Sequence, residues 1–187
     1  MAGKNRQNVL ILVSGGIDST ACINYYIQQH FFPKSLFIDY GQIVNETELA
    51  SAKKIASHYK LELDTLKINM SRNYGAGEIR GRNAFFIIAA LMKYEGFSGI
   101  ISIGIHSESP YYDTTEKFLT DINTLVGLYT DGTVRVDAPF LKWTKPMIYE
   151  YCKKNNVPIH LTYSCEQRND QPCGECSSCL DRKAFSG

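Results

Sequence analysis

Two stretches of this chain carry residue types that can do chemistry at close quarters. The first is Leu12-Val13-Ser14-Gly15-Gly16-Ile17-Asp18-Ser19-Thr20. Its glycines let the backbone turn sharply and approach a ligand closely. Amides at the start of a following helix point outward, with the positive end of the helix dipole behind them. Ser14, Ser19 and Thr20 add hydroxyl donors, and Asp18 adds a carboxylate. Such a loop cradles phosphate or pyrophosphate. The lysine of GxxxxGK[ST] is missing, so it is not a Walker loop, and GxGxxG is absent too. Two adjacent glycines alone would describe a tight turn with a good cap. The full string, placed directly after a buried strand, goes beyond that reading.

The second stretch is Cys165-x7-Cys173-x2-Cys176-x2-Cys179, four thiols within fifteen residues. Zinc takes four soft ligands in a tetrahedron, and two-residue gaps suit it. An iron–sulfur cluster accepts the same ligands. A site closed by four protein ligands is structural and does not activate water. The remaining two of the six cysteines, Cys22 and Cys152, sit in apolar helical patterns and read as packing residues.

The elements that must position these groups are legible. Residues 9–13 form a short apolar run, as a strand buried on both faces should. A helix is expected over 21–30, with Asp18, Ser19 and Thr20 as N-cap types. Strands are expected at 35–40, 61–68, 99–105 and 134–140. Helices are expected from Asn45 as cap to about 59, then at 82–94, 115–129 and 144–155. Strand and helix alternate about five times. That order predicts a doubly wound parallel α/β sheet, because right-handed crossovers place helices on both faces. Composition shifts at about Thr162, so residues 1–161 read as the α/β domain and 162–187 as a small cysteine-rich segment. That segment is too short to fold on burial alone, which favours a metal.

Composition narrows the class. The chain has 187 residues, 44% of them hydrophobic and 21% charged, so it can bury a core without disulfides. Lys plus Arg is 20 and Asp plus Glu is 19, a formal charge of +1. Direct nucleic-acid binding is therefore not expected, since phosphate contacts need surplus cations. No run of about eighteen apolar residues is present, so no membrane span is expected. The apolar run at 9–13 is too short for an export signal, and a cytoplasmic location is expected.

At this point the string SGGIDST resembles the pyrophosphate loop of the N-type ATP pyrophosphatases. Their fold is the adenine nucleotide alpha-hydrolase-like, Rossmann-like sheet. Further matches resemble one branch, the QueC (7-cyano-7-deazaguanine synthase) family. These are Asp39-Tyr40-Gly41-Gln42, Gly81-Arg82-Asn83, a Pro139…Lys145 segment, Thr162-Tyr163-Ser164-Cys165, and Pro172-Cys173-Gly174-x-Cys176-x-Ser178-Cys179. The resemblance covers nearly the whole chain. It implies that Leu12, Val13, Ser14, Gly15, Gly16, Asp18, Ser19, Thr20, Tyr40 and Lys145 bind ATP. Lys145, Asp18 and Ser19 would act in catalysis, with Asp18 helping to place Mg2+. Gln42, Arg82, Asn83, Glu108 and Asp113 would bind the substrate. Glu108 and His106 also follow a buried strand at the end where ligands of open α/β sheets collect. Cys165, Cys173, Cys176 and Cys179 would hold a structural Zn2+.

The reaction so implied joins a deazaguanine acid, 7-carboxy-7-deazaguanine, to ammonia. ATP adenylates the acid, and the amide is adenylated again and dehydrated to the nitrile. A homodimer is implied, with the Tyr-rich segment 111–129 contributing. The match departs in two places. The family's Arg-His after Gln42 is here Ile43-Val44-Asn45, with a one-residue insertion before Glu48. Its Cys-Arg after Asp113 is Thr114-Thr115. A guanidinium holds a carboxylate through two parallel bonds, and threonine cannot replace it. The departures also suit a QueC-like antiphage-defence (CBASS-type) enzyme, which would conjugate the activated acid to a protein amine. Two rivals stand further off. One is an RNA-binding four-cysteine module with a relic loop. The other is a sulfur-transfer tRNA ligase, disfavoured because no cysteine pair outside the tail is placed for relay.

Overall fold

A computed structural model describes residues 7–69, 79–167 and 171–185. Five strands form one parallel sheet: β1 (Asn8–Leu12), β2 (Phe32–Asp39), β3 (Leu63–Lys67), β4 (Gly99–Ser102) and β5 (Val134–Asp137). Their order is β3-β2-β1-β4-β5, all pairs parallel. The helices are α1 (Ile17–Gln28), α2 (Asn45–Tyr59), α3 (Arg82–Lys93), α4 (Glu116–Thr130), α5 (Lys145–Lys154) and α6 (Ser177–Phe185).

The period-two pleat decides how the core divides. Val9 and Ile11 of β1 pack with Ile23 and Tyr26 of α1, Ile55 of α2 and Ile148 of α5. Leu10 and Leu12 point the other way and pack with Ile87 of α3 and Ile122 and Val126 of α4. Both faces of β1 are thus covered, which is why its sequence is a continuous apolar run. The expected doubly wound sheet is the observed one. The chain winds toward one edge through β2 and β3, then crosses β1 to build β4 and β5. The reversal lies between β1 and β4, where such sheets open a crevice at their carboxyl ends.

Several boundaries differ from expectation. β2 starts at Phe32 and includes Pro33, one residue into the strand, where a missing donor is tolerated. α1 starts at Ile17, with extended Gly16 as its N-cap. Asp18, Ser19 and Thr20 are therefore inside the first turn and do not cap it. Asn45 does not cap α2 either; Val44 holds that position without a side-chain bond. β4 and β5 end at Ser102 and Asp137, because the chain there leaves the sheet toward the crevice. The cysteine-rich tail contains α6, which no apolar periodicity announced. α6 is tied down by Arg182, which donates to the Thr162 carbonyl (2.8 Å) and the Ile159 carbonyl (3.0 Å). Phe185 lies against Tyr149 of α5, ring centroids 5.2 Å apart.

Candidate functional site

The loop after β1 folds on itself. Thr20 Oγ1 donates to the Gly16 carbonyl (2.7 Å), and so does Ser19 Oγ (3.1 Å). Ser14 N–H donates to Ser19 Oγ (3.2 Å), and Gly16 N–H donates to Ser14 Oγ (3.3 Å). Backbone and hydroxyl donors are thereby gathered at the positive end of α1. Gly15 has a φ of +81°, which a side chain rarely adopts. A Cβ there would also lie 2.5 Å from the Glu48 carbonyl oxygen of α2. Gly104, beyond β4, is as constrained: a Cβ would come within 2.8 Å of Ser19 N. The β4 loop therefore rests directly on the first turn of α1.

Two elements far apart in sequence close the site. Lys145, the first residue of α5, donates through Nζ to Asp18 Oδ2 at 2.6 Å. The other oxygen, Asp18 Oδ1, is buried and has no hydrogen-bond partner among the described residues. That free carboxylate oxygen beside a phosphate-type loop is the donor a hard divalent cation takes. Glu108 accepts the Lys145 backbone N–H at 2.5 Å, so its carboxylate caps α5. His106 Nδ1 accepts the Glu108 N–H at 3.3 Å. Burial, and then the Lys145 ammonium, hold the His106 pKa below its usual value. The partners of His106 were invisible in sequence, since they come from α1, α5 and its own loop.

The residues expected to bind substrate fall in two groups. Gln42 is buried and braces the loop after β2, donating to the Ile38 carbonyl (3.3 Å) and to Glu48 Oε2 (3.0 Å). Its Oε1 accepts the Tyr40 N–H (3.0 Å). Asn83 donates its N–H to Asp113 Oδ2 (3.2 Å) and its amide to the Asp113 carbonyl (3.0 Å). Asp113 thus ties the loop before α4 to the start of α3. Arg82 stands apart. Its Nε is buried without a partner among the described residues. It helps line a cleft of about 140 Å³ with Tyr40, Phe85 and Phe86. Tyr40 and Phe86 rings lie 5.0 Å apart there.

Glu48 carries no functional signal in sequence, where an acidic residue in a first helical turn reads as a dipole complement. Burial pushes its carboxyl up to about 7, against the pull of Gln42 and of the Arg82 charge. Trp143 packs on Phe140 (5.1 Å) and Tyr151 (5.8 Å), so its indole serves the core. Cys22 and Cys152 are fully buried, and burial raises both thiols, as packing residues.

The four tail cysteines converge. Their Sγ atoms all lie within 4.8 Å of one another, and Cys173 and Cys179 are 3.9 Å apart. A tetrahedral ion with metal–sulfur bonds of ~2.3 Å sets its sulfurs about 3.8 Å apart. The pocket therefore fits one ion. Cys173 N–H donates to Cys165 Sγ and Cys176 N–H to Cys173 Sγ, each at 3.3 Å, as thiolates accept.

Comparisons with known proteins agree with this geometry. Over residues 8–80 and 76–186 the sequence matches the family described as Queuosine biosynthesis protein QueC. It is 30% identical to 7-cyano-7-deazaguanine synthase 2 of Desulfitobacterium hafniense, over 96% of this chain and 89% of that one. It is 28% identical to 7-cyano-7-deazaguanine synthase of Campylobacter jejuni, over 94% of this chain and 92% of that one. Among solved structures, NMN synthetase from Francisella tularensis superposes with a TM-score of 0.56 at 15% identity, covering 97% of this chain and 77% of its own. The NH3-dependent NAD synthetase of Campylobacter jejuni gives 0.52 at 17%, covering 85% and 68%. These last two share the fold, the adenine nucleotide alpha-hydrolase-like sheet. The chain belongs to the QueC family.

Proposed function

We propose that this enzyme adenylates 7-carboxy-7-deazaguanine with ATP and joins the activated acid to ammonia, on the way to the 7-cyano-7-deazaguanine for which its synthase relatives are named. The observation that carries this reading is the Asp18–Lys145 pair at the mouth of the Ser14–Thr20 loop. A phosphate-type loop carrying a free carboxylate oxygen meets a cation from α5 there. Ser14, Gly16, Ser19 and Thr20 would hold pyrophosphate oxygens. Lys145 would leave Asp18 for the departing pyrophosphate and offset its charge. Asp18 Oδ1 would take Mg2+, which supplies charge neutralisation between phosphates. Tyr40, Arg82 and Phe86 would receive a planar ring in their cleft. Gln42, Asn83 and Asp113 would act by holding the loops around it. The tail thiolates would hold Zn2+, since an iron–sulfur cluster must fit its own iron and sulfide between the cysteines. Leu125, Leu128 and Tyr129 stand exposed on α4 and would offer a second copy of the chain an apolar face, so a homodimer is expected, and a monomer by light scattering would contradict it.

One observation supports a second reading. Thr115 stands where the family has arginine, and its hydroxyl caps α4, accepting Phe118 N–H at 3.1 Å. Thr114 donates to the Tyr111 carbonyl at 2.7 Å. Ile43 stands exposed and Val44 buried in place of the Arg-His pair. A changed acceptor, such as a protein amine, suits a site stripped of those cations. The deciding experiment incubates protein with 7-carboxy-7-deazaguanine, ATP, Mg2+ and ammonium and reads products by mass spectrometry. Nitrile with AMP and pyrophosphate is expected. Adenylate or amide alone would favour the second reading, and no ATP consumption would reject both.

A further inference from the structure

We infer that Tyr163, at the root of the metal-binding tail, is a positioning residue for the phosphate loop, so that metal loading sets the geometry in which that loop meets phosphate. This rests on reading residues 14–20 as the pyrophosphate loop. The Tyr163 backbone N–H donates to the Gly15 carbonyl oxygen at 2.9 Å. That oxygen and the Gly16 N–H belong to one planar trans peptide, so they point in opposite directions. Holding the oxygen toward Tyr163 therefore aims the Gly16 N–H into the loop, where it meets Ser14 Oγ. A peptide between two glycines has little steric resistance to flipping. A flip would turn the carbonyl inward and repel an anion.

The restraint is anchored on both sides of Tyr163. One residue before it, the Thr162 carbonyl is held by Arg182 of α6 (2.8 Å). Two residues after it, Cys165 is buried in the four-thiol cluster. Cys179 of that cluster lies in α6 beside Arg182. A metal ion would clamp Cys165 to α6 and close this circuit. Behind the loop, the Glu48 carbonyl of α2 blocks Gly15 from retreating. No side chain in the circuit touches a reacting atom. The backbone hydrogen bond from Tyr163 to Gly15 is the contact through which the tail would act on the loop.

Hydrogen exchange by mass spectrometry on the full chain tests this without needing turnover. Metal-loaded protein is compared with protein stripped of metal and dialysed free of chelator. Amides of residues 13–20 are expected to exchange about tenfold faster on stripping, while 9–12 and 100–102 stay protected. The second arm is Tyr163→Pro in metal-loaded protein, which deletes the donor together with the ring, read against Tyr163→Ala, which deletes the ring and keeps the N–H. Thr162 is already extended, as the residue before a proline must be. This variant should keep its metal, reproduce the faster loop exchange and raise KM for ATP more than it lowers kcat. Tyr163→Phe keeps the N–H and should keep the loop's protection. Unchanged loop exchange in Tyr163→Pro overturns the inference, even if stripping unfolds the whole chain. Loaded wild-type protein that ignores ATP would reject the functional reading, yet the exchange comparison would still decide this one.

Discussion

Lys145 shows how a residue's chemistry depends on what is opposite it. In sequence it is a lysine followed by Pro146 at a helix start, where surface exposure is the ordinary fate. In the structure it reaches Asp18 at 2.6 Å, with both side chains mostly shielded. On the proposed reading Lys145 would offset charge that develops as pyrophosphate departs, so Lys145→Met should lower ATP–pyrophosphate exchange by roughly 100-fold. An unchanged rate would remove it from the chemistry. Glu48 gives a stability prediction. Its carboxyl titrates near 7 when folded and near 4.5 when free. Between those values the folded chain holds a proton that the unfolded chain has released. Stability should therefore fall as pH rises through that window, by at most about 3 kcal/mol. Glu48→Gln should flatten the dependence and unfold at higher denaturant than wild type at about pH 8. Equal midpoints there would show that the buried charge is compensated.

At the scale of elements, the site is made where four segment ends meet. These are the starts of α1 and α5 and the loops after β2 and β4. The β4 loop can lie on α1 only because residue 104 lacks a side chain. Gly104→Ala should push the two apart. Thermal unfolding should drop by several degrees, and ATP binding should weaken with it, because Lys145 is hung from Glu108 on the same loop. A variant with wild-type Tm and affinity would show that the loop yields at no cost. Element existence was readable because the strands are continuous apolar runs and the helices have one apolar face. Element ends were not. Asp18, Ser19 and Thr20 look like caps, yet Gly16 caps α1 and leaves their side chains to the loop.

For the whole molecule, the tail is the part that burial cannot hold. Its described cluster has three buried residues, all of them cysteines, and little else apolar. Stripping the metal should lower Tm by on the order of 10 °C, a loss of several kcal/mol for a chain of this size. Zinc should restore it, and an unchanged Tm would make the four thiols idle. Among the described residues, no helix is long and apolar enough to cross a membrane. The two faces of the sheet carry separate cores, so damage to α3 or α4 should leave the α1–α2–α5 side packed.

The layered sheet is legible in the residues alone, because period and order of apolar residues are local properties that each segment carries. The donors of the candidate phosphate loop and of the four-thiol cluster are also legible there, because each set lies close together along the chain. Which groups oppose each other emerges only once the chain is folded. Lys145 reaches Asp18 over 127 positions, Asp113 ties to Asn83 over 30, and Tyr163 holds Gly15 from the far end of the chain. Such pairings depend on how the sheet reverses between β1 and β4, and no spacing along the chain encodes a distance across a sheet.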